Sequence, residues 1–400
     1  MRTAVVGGGA AGFFLAVNLK EMAPAMDVTI LEGSQRVLAK VKVSGGGRCN
    51  CTNSFASVRD LSAVYPRGHR LLKRLFKQFD YHDAYDWFER HGVRLTTQDD
   101  DCVFPVSQDS QTIINCFLAE ARRRQINIRT GVSVASFDDL RDYDFVAVCA
   151  GGQPRAEKLQ WLADVGHDIV LPVPSLFTLS IADEALRALM GTVVEGVQVG
   201  IPGTKLRADG PLLITHWGVS GPAVLRLSSY AARHLSEADY RLPLSINWTG
   251  QPESAVREEL MTMAAQHPQK QLQTLRPCGL PTRLWDYLLT KTLGQRSQGR
   301  WQSLNVKEQN RLVNVLTNDT YQTAGRAAFR DEFVTCGGVS LASVNPSTLE
   351  SRCVPHLYFA GEVLDIDGIT GGFNFQAAWT TAFVAAHSIA EAYHNEKTNQ

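Results

Sequence analysis

Apolar positions along this chain fall into two rhythms. Ala4-Val5-Val6 and Val28-Thr29-Ile30-Leu31 are short unbroken runs of the length of buried strands. Between them Phe13, Phe14, Ala16, Val17 and Leu19 recur at helical spacing, so residues 3–32 read as strand, helix, strand. A helical pattern returns over residues 70–91, with Leu72, Leu75, Phe76 and Phe79 on one side. Another follows Asp109 or Ser110 as cap and carries Ile113, Phe117, Leu118 and Ala121. Residues 127–129 lead into a short strand pattern at 132–134, and 144–149 form a buried run that ends on glycines.

From about Pro172 the text changes. Short alternating runs at 177–181, 193–201, Leu206 and 212–216, broken by Gly and Pro, predict a small β-rich barrel or sandwich with one helix over 222–235. Residues 251–318 read as helical. After about Gly325 the sheet character returns, with a strand at 357–360 and a last helix over 373–393. The expected division is therefore 1–171 with 326–400, a β-rich insert of 172–250 with 319–325, and a helical subdomain of 251–318 inside it. The two outer pieces must share one sheet.

The first turn carries the strongest chemical signal. Gly7-Gly8-Gly9-Ala10-Ala11-Gly12 is G-x-G-x-x-G directly behind a strand and ahead of a helix, the context that makes the pattern specific for a dinucleotide. Gly7 permits the tight turn, Gly9 lets a pyrophosphate reach the backbone, and Gly12 lets the helix pack on the strand. The amides of the helix start, Ala10 and Ala11, face the phosphates. Glu32, at the end of the second strand, is the acid placed to accept from a ribose diol, with Gly33 behind it.

Composition adds mainly exclusions. A chain of 400 residues is long enough for two or three domains, and 44% hydrophobic with 20% charged residues is ordinary for a globular protein. Forty basic residues balance forty acidic ones, so no net footprint argues for nucleic acid or an anionic membrane, although a local patch can hide in a neutral total. The eight cysteines show no disulfide rhythm and no zinc-ligand spacing, which predicts reduced thiols in a cytoplasmic protein and no metal. The N-terminus lacks a signal-peptide pattern, and no stretch has the length of a membrane span.

Four segments resemble the HI0933-like (YhiN/BaiN-type) flavoproteins. They are Lys42-Val43-Ser44-Gly45-Gly46-Gly47-Arg48-Cys49-Asn50 with Thr52-Asn53, Thr215-His216-Trp217-Gly218-Val219-Ser220-Gly221-Pro222, Thr335-Cys336-Gly337-Gly338-Val339, and residues 361–374 from Gly361-Glu362 to Phe373-Asn374. The resemblance spans the chain. It implies an α/β fold: a Rossmann-like FAD-binding domain of the glutathione-reductase type, interrupted by a β-barrel-like domain that carries a helical insertion. Two departures stand out. Gln153–Lys158 lacks the glycines usual after Gly151-Gly152, and Phe373 and Phe375 replace the usual Tyr and Leu.

The resemblance also implies the residues that hold FAD. They are the first turn, Glu32, Gly33, Lys40, Lys42, Ser44, Gly45, Gly46, Arg48, Cys49, Asn50, the backbone of Val132 at the adenine, Ala150, Gly151, Gly361, Glu362, Asp367, Gly371, Gly372, Phe373 and Asn374. Arg48 is either a cofactor contact or an exposed loop arginine. Asn50 and Asn53 either touch flavin or hold the turn, and Asp365 and Asp367 either hold the ribityl chain or the loop. The start of the last helix is placed to stabilise negative charge on the reduced flavin. His216 and Ser220 are candidates for proton transfer, against a structural role for a histidine beside Trp217.

The chain has one dinucleotide fingerprint, so NAD(P)H is expected only as a transient reductant. The implied function is an FAD-dependent oxidoreductase moving a hydride to or from a small organic substrate, with no nucleic-acid or membrane partner. A flavin-dependent RNA-modifying enzyme and a non-enzymatic flavin-bearing regulator are the alternatives.

Overall fold

The computed structural model describes residues 1–326 and 334–398. Contacts divide the chain into two units: Met1–Val173 together with the chain from Val334 onward, and the intervening chain from Pro174. The expected return near residue 326 abuts residues 327–333, which lie outside the described residues.

The first unit is built on a five-stranded sheet in the order Leu357–Phe359, Phe145–Val148, Arg2–Val6, Asp27–Glu32, Asn127–Thr130. All pairings are parallel, with Val6 opposite both Leu31 and Val148 and Phe359 opposite Val148. Parallel neighbours need crossovers, and Ala10–Met22 is the first of them. That helix is buried nearly all round. Its Phe14 ring lies 4.5 Å from Trp87 and 5.1 Å from Trp379 of the last helix, Phe373–Thr398. Burying aromatic rings of this size contributes roughly 1.5–3 kcal/mol each, so the two ends of the chain are held by one core. Thr52–Asn53, Cys102–Pro105 and Leu95–Thr97 form a small antiparallel sheet in that spatial order, the middle strand in space being the last in sequence.

The second unit contains a closed six-stranded barrel in the order Val193–Gly200, Arg207–Ile214, Gly218–Ser220, Leu179–Ile181, Asp319–Arg326, Pro243–Asn247. Closure removes the exposed sheet edges. The helical segment, with Glu253–Gln266, Thr282–Leu293 and Val306–Thr317, leaves after Pro243–Asn247 and returns at Asp319–Arg326, which pair with each other. Buried Asp319 ties insert to barrel: it accepts from Trp248 Nε1 at 3.0 Å, Tyr321 Oη at 2.6 Å and Lys291 Nζ at 2.6 Å.

Several expected elements differ in detail. The helix expected over 70–91 is two helices, His69–Leu75 and Tyr81–Arg90, because Asp80 caps the second through the amides of His82 and Asp83. The helix expected over 222–235 is interrupted at Ala231 between Pro222–Tyr230 and Ala232–Glu237. No strand forms over 132–134; Gly131, at φ +72°, turns the chain out of Asn127–Thr130. The glycine-rich stretch begins as a helix at Ala39 and loses helical geometry at Ser44, Gly45 and Gly46. The last helix runs on to Thr398.

Candidate flavin-binding site

The glycine turn at the end of Arg2–Val6 is tightly constrained. A Cβ on Gly7 would lie 2.3 Å from the Cys149 carbonyl oxygen, and one on Gly12 would lie 1.9 Å from the Gly7 carbonyl oxygen. At Gly9 the result is opposite: a Cβ there would meet nothing within 4 Å. The protein closes tightly around Gly7 and Gly12 and leaves open space over Gly9, as a cradle for a pyrophosphate requires. The helix that starts at Ala10 has no side-chain cap and no acid in its first turn, so its amide end is available to an anion.

Glu32 is oriented by the turn itself. Its Oε2 accepts from the Gly8 amide and its Oε1 from the Ser34 amide, both at 2.8 Å. Each carboxylate oxygen keeps acceptor capacity for a ribose hydroxyl. The Val132 amide donates to the Glu32 carbonyl at 2.9 Å, which leaves the Val132 carbonyl as the group it can offer a ligand. Gly33 lies 3.9 Å from Ser133 by its would-be Cβ.

A second cluster joins distant segments of the same unit. Gly45, Gly46 and Gly47 are consecutive left-handed residues, at φ +56°, +68° and +86°, which reverse the chain into Arg48. With its amide oriented to satisfy its neighbours, Asn50 donates to the Thr52 carbonyl at 2.8 Å and accepts from the Gly372 amide at 3.1 Å. Asn53 donates to the Gly371 carbonyl at 3.0 Å, Thr52 Oγ1 to Gln376 at 2.6 Å, and Trp379 Nε1 to the Cys51 carbonyl at 2.8 Å. Cys49–Asn53 is thus stitched to the start of the last helix. That start has no acid in its first turn. Asn374 bonds both the amide and the carbonyl of Gly368 at 2.8 Å, closing the loop ahead of the helix.

Other expected residues have protein partners of their own. Lys40 Nζ lies 3.0 Å from Glu362 Oε2, and Glu362 Oε1 accepts from the Thr335 amide at 2.8 Å. Lys42 is 3.7 Å from Asp109, Ser44 Oγ donates to the Val41 carbonyl, and the Arg48 guanidinium sits 4.2 Å above the Phe104 ring while Nη1 donates to Gln108. Asp367 is fully buried against Arg67. Cys49 is buried, with its sulfur 3.9 Å from that of Cys51. Burial and the neighbouring thiol push Cys51 well above the usual thiol range. Ala150 accepts from Gln153, Gly151 has open space where a Cβ would be, and Gly361 packs against Ala11, 2.8 Å from its Cβ by the same construction. Tyr65, which the sequence did not single out, donates to the Phe373 carbonyl at 2.8 Å.

His216 and Ser220 belong to the barrel unit. His216 is exposed in the turn between Arg207–Ile214 and Gly218–Ser220, its ring 4.7 Å from that of Trp217. Ser220 Oγ accepts from Thr178 Oγ1 at 2.8 Å.

A parallel sheet with a glycine-rich first turn, an acid on the second strand and a helix start anchored beside a second glycine cradle defines a Rossmann-type FAD-binding oxidoreductase. The residues present fit that cofactor, most directly through the open space over Gly9 and the acceptor capacity of Glu32. The chain belongs to the family described as HI0933-like protein Rossmann domain, which matches residues 1–388. A ribosomal RNA dihydrouridine synthase of Escherichia coli is 29% identical over 97% of this chain and 98% of its own length. A 3-dehydro-bile acid delta(4,6)-reductase of Clostridium scindens is 26% identical over 98% and 99%. Among solved structures, a 3-ketosteroid delta1-dehydrogenase from Sterolibacterium denitrificans aligns with a TM-score of 0.50 and 12% identity over 98% of this chain and 99% of that one, a likeness of fold. Among the described residues no helix is long and apolar enough to cross a membrane.

Proposed function

We propose that this enzyme reduces a carbon–carbon double bond conjugated to a carbonyl, with NAD(P)H as a transient reductant. Bound FAD would supply the two-electron carrier. The hydride goes to the carbon β to the carbonyl, a proton goes to the α carbon, and NAD(P)H supplies the electron pair and leaves as NAD(P)⁺.

The observation that carries the reading is the anchored, acid-free start of Phe373–Thr398. Asn50 and Asn53 hold Gly371 and Gly372 in place, so the amide end is fixed before any ligand arrives. Such an end favours negative charge on a ring carbonyl edge, and fixed dipoles of this kind need no reorganisation during the reaction. The names of the relatives support the ene chemistry. One relative is named a 3-dehydro-bile acid delta(4,6)-reductase and another a dihydrouridine synthase, and both names denote a ring that gains hydrogen. His216 is assigned as the proton donor, on the strength of its exposure and its residue type.

Anaerobic stopped-flow spectroscopy tests this. NADPH or NADH should bleach the visible flavin band, and a conjugated enone should restore it without oxygen. If oxygen restores colour quickly while no enone or uracil derivative does, the enzyme is an oxidase and the reading fails.

A further inference from the structure

Two thiols face each other inside the second glycine cradle. Cys49 and Cys51 are both fully buried, and their sulfurs lie 3.9 Å apart with only Asn50 between them in the chain. Cys51 Sγ also donates to the Cys49 carbonyl at 3.4 Å. The backbone around them is pinned. The Cys49 amide donates to the Ser44 carbonyl at 3.0 Å, the Cys51 amide donates to the Val103 carbonyl at 2.8 Å, and the Cys51 carbonyl accepts from Trp379 Nε1 at 2.8 Å. Cys49 takes a left-handed φ of +61°, which a residue with a Cβ adopts where its surroundings impose it. In an extended chain, residues two apart are separated by about 6.6 Å. The turn at Cys49 therefore brings the sulfurs closer than a strand would. The remaining gap to the roughly 2.05 Å of a disulfide is within reach of χ1 rotation.

The surroundings select the electron acceptor. Burial, together with the hydrogen bond and charge of Cys49 beside it, holds Cys51 as a thiol. Buried thiols of this kind are inert towards oxidants that diffuse in from solvent. The residue between the two cysteines, however, belongs to the cofactor cradle: Asn50 accepts from the Gly372 amide at 3.1 Å, and the left-handed run Gly45, Gly46, Gly47 lies just ahead of them. A ligand held by that cradle is the redox partner within reach.

We propose that Cys49 and Cys51 form a dithiol–disulfide centre that exchanges one electron pair with bound FAD. Two S–H bonds break and one S–S bond forms. The electron pair and one proton pass to oxidised FAD, and the second proton leaves to solvent. In reverse, the disulfide accepts the pair from reduced FAD, together with two protons, and opens to the dithiol. The centre doubles the electrons the loaded enzyme holds. It needs bound FAD and goes beyond the ene-reductase reading, which stands or falls separately.

The test treats the holoenzyme and the flavin-free protein side by side with ferricyanide under argon, the oxidant that drains reduced FAD. Each is freed of reagent, denatured and alkylated. The holoenzyme should show two fewer free thiols than the eight of the chain, and its tryptic peptide 49–59 should be lighter by two hydrogens. The flavin-free protein should keep all eight. Dithionite titration of the treated holoenzyme should then take up about four electrons per FAD, against about two in Cys51→Ala. Cys49→Ser is the independent second variant, and where neither variant retains FAD the wild-type thiol counts decide. A treated holoenzyme that keeps all eight thiols overturns the proposal, as does a disulfide mapped to other cysteines. Equal thiol loss with and without flavin also overturns it, because the oxidation then bypasses FAD. So does an electron count that Cys51→Ala leaves unchanged. A holoenzyme that passes all of these yet reduces no conjugated double bond sinks the ene-reductase reading alone.

Discussion

Lys40 Nζ and Glu362 Oε2 lie 3.0 Å apart although 322 residues separate them in the chain. Lys40 is 57% exposed on its side chain, so the pair adds little to stability. Its importance is positional. It joins the segment after the second strand to the turn that follows the strand Leu357–Phe359, two places remote in sequence.

Glu32 carries the ribose assignment. Glu32→Ala removes an acceptor that also holds the Gly8 and Ser34 amides. Loss of charged hydrogen bonds of this kind costs about 1.5–3 kcal/mol, so FAD should bind roughly 10- to 100-fold more weakly. Isothermal titration of the deflavinated protein with FAD measures it. Unchanged affinity would displace the ribose from this carboxylate.

The glycines of one turn should separate folding from binding. Gly9→Ala places its methyl in open space at an ordinary φ of −91°, so the protein should fold with a thermal midpoint near that of the wild-type apoprotein. It should nevertheless retain little FAD. Gly12→Ala drives a Cβ into the Gly7 carbonyl and should cost folding itself. Thermal melts with and without FAD distinguish the two. A Gly9→Ala protein that holds FAD normally would place the pyrophosphate elsewhere.

His216→Ala is expected to leave the yellow colour intact and lower kcat by about 100-fold, the usual range for a lost proton donor. His216→Gln, which keeps a polar group but not the proton, should be equally slow. Turnover unaffected by either change assigns His216 to the barrel turn alone.

Glu21 predicts a feature of the acid limb of stability. Burial alone would raise its carboxyl pKa, but the hydrogen bond with His91 and the charge of Arg124 outweigh this and hold it below the ordinary 4.5. A depressed carboxylate contributes stability that is present above its unfolded pKa and is lost as pH falls through the folded value. Wild-type stability should therefore decline below about pH 4.5, and Glu21→Gln should flatten that part of the curve while lowering the neutral plateau. Urea midpoints from pH 6 down to pH 3 provide the check; parallel curves for the two proteins would remove Glu21 from the acid response.

The geometry of the first turn in the candidate site was legible in the sequence because it is local. The run Ala4-Val5-Val6, the glycine turn and Glu32 lie within one strand–helix–strand unit, where spacing alone dictates geometry. The second cradle was legible only as a set of motifs. Nothing in the spacing says that Asn50 accepts from Gly372, that Thr52 meets Gln376 or that Tyr65 holds the Phe373 carbonyl. The split of the helix expected over 70–91 turns on Asp80 acting as a cap rather than an exposed helical acid, a choice that periodicity does not register.

The sequence by itself determined most of the elements, the first turn with the acid that meets it, and the interruption of the sheet unit by other chain, because hydrophobic period and glycine conformation are properties of neighbouring residues. The tertiary structure decided which remote segments come together and which of their polar groups pair. Those depend on burial and on contacts across hundreds of residues, which no local pattern encodes.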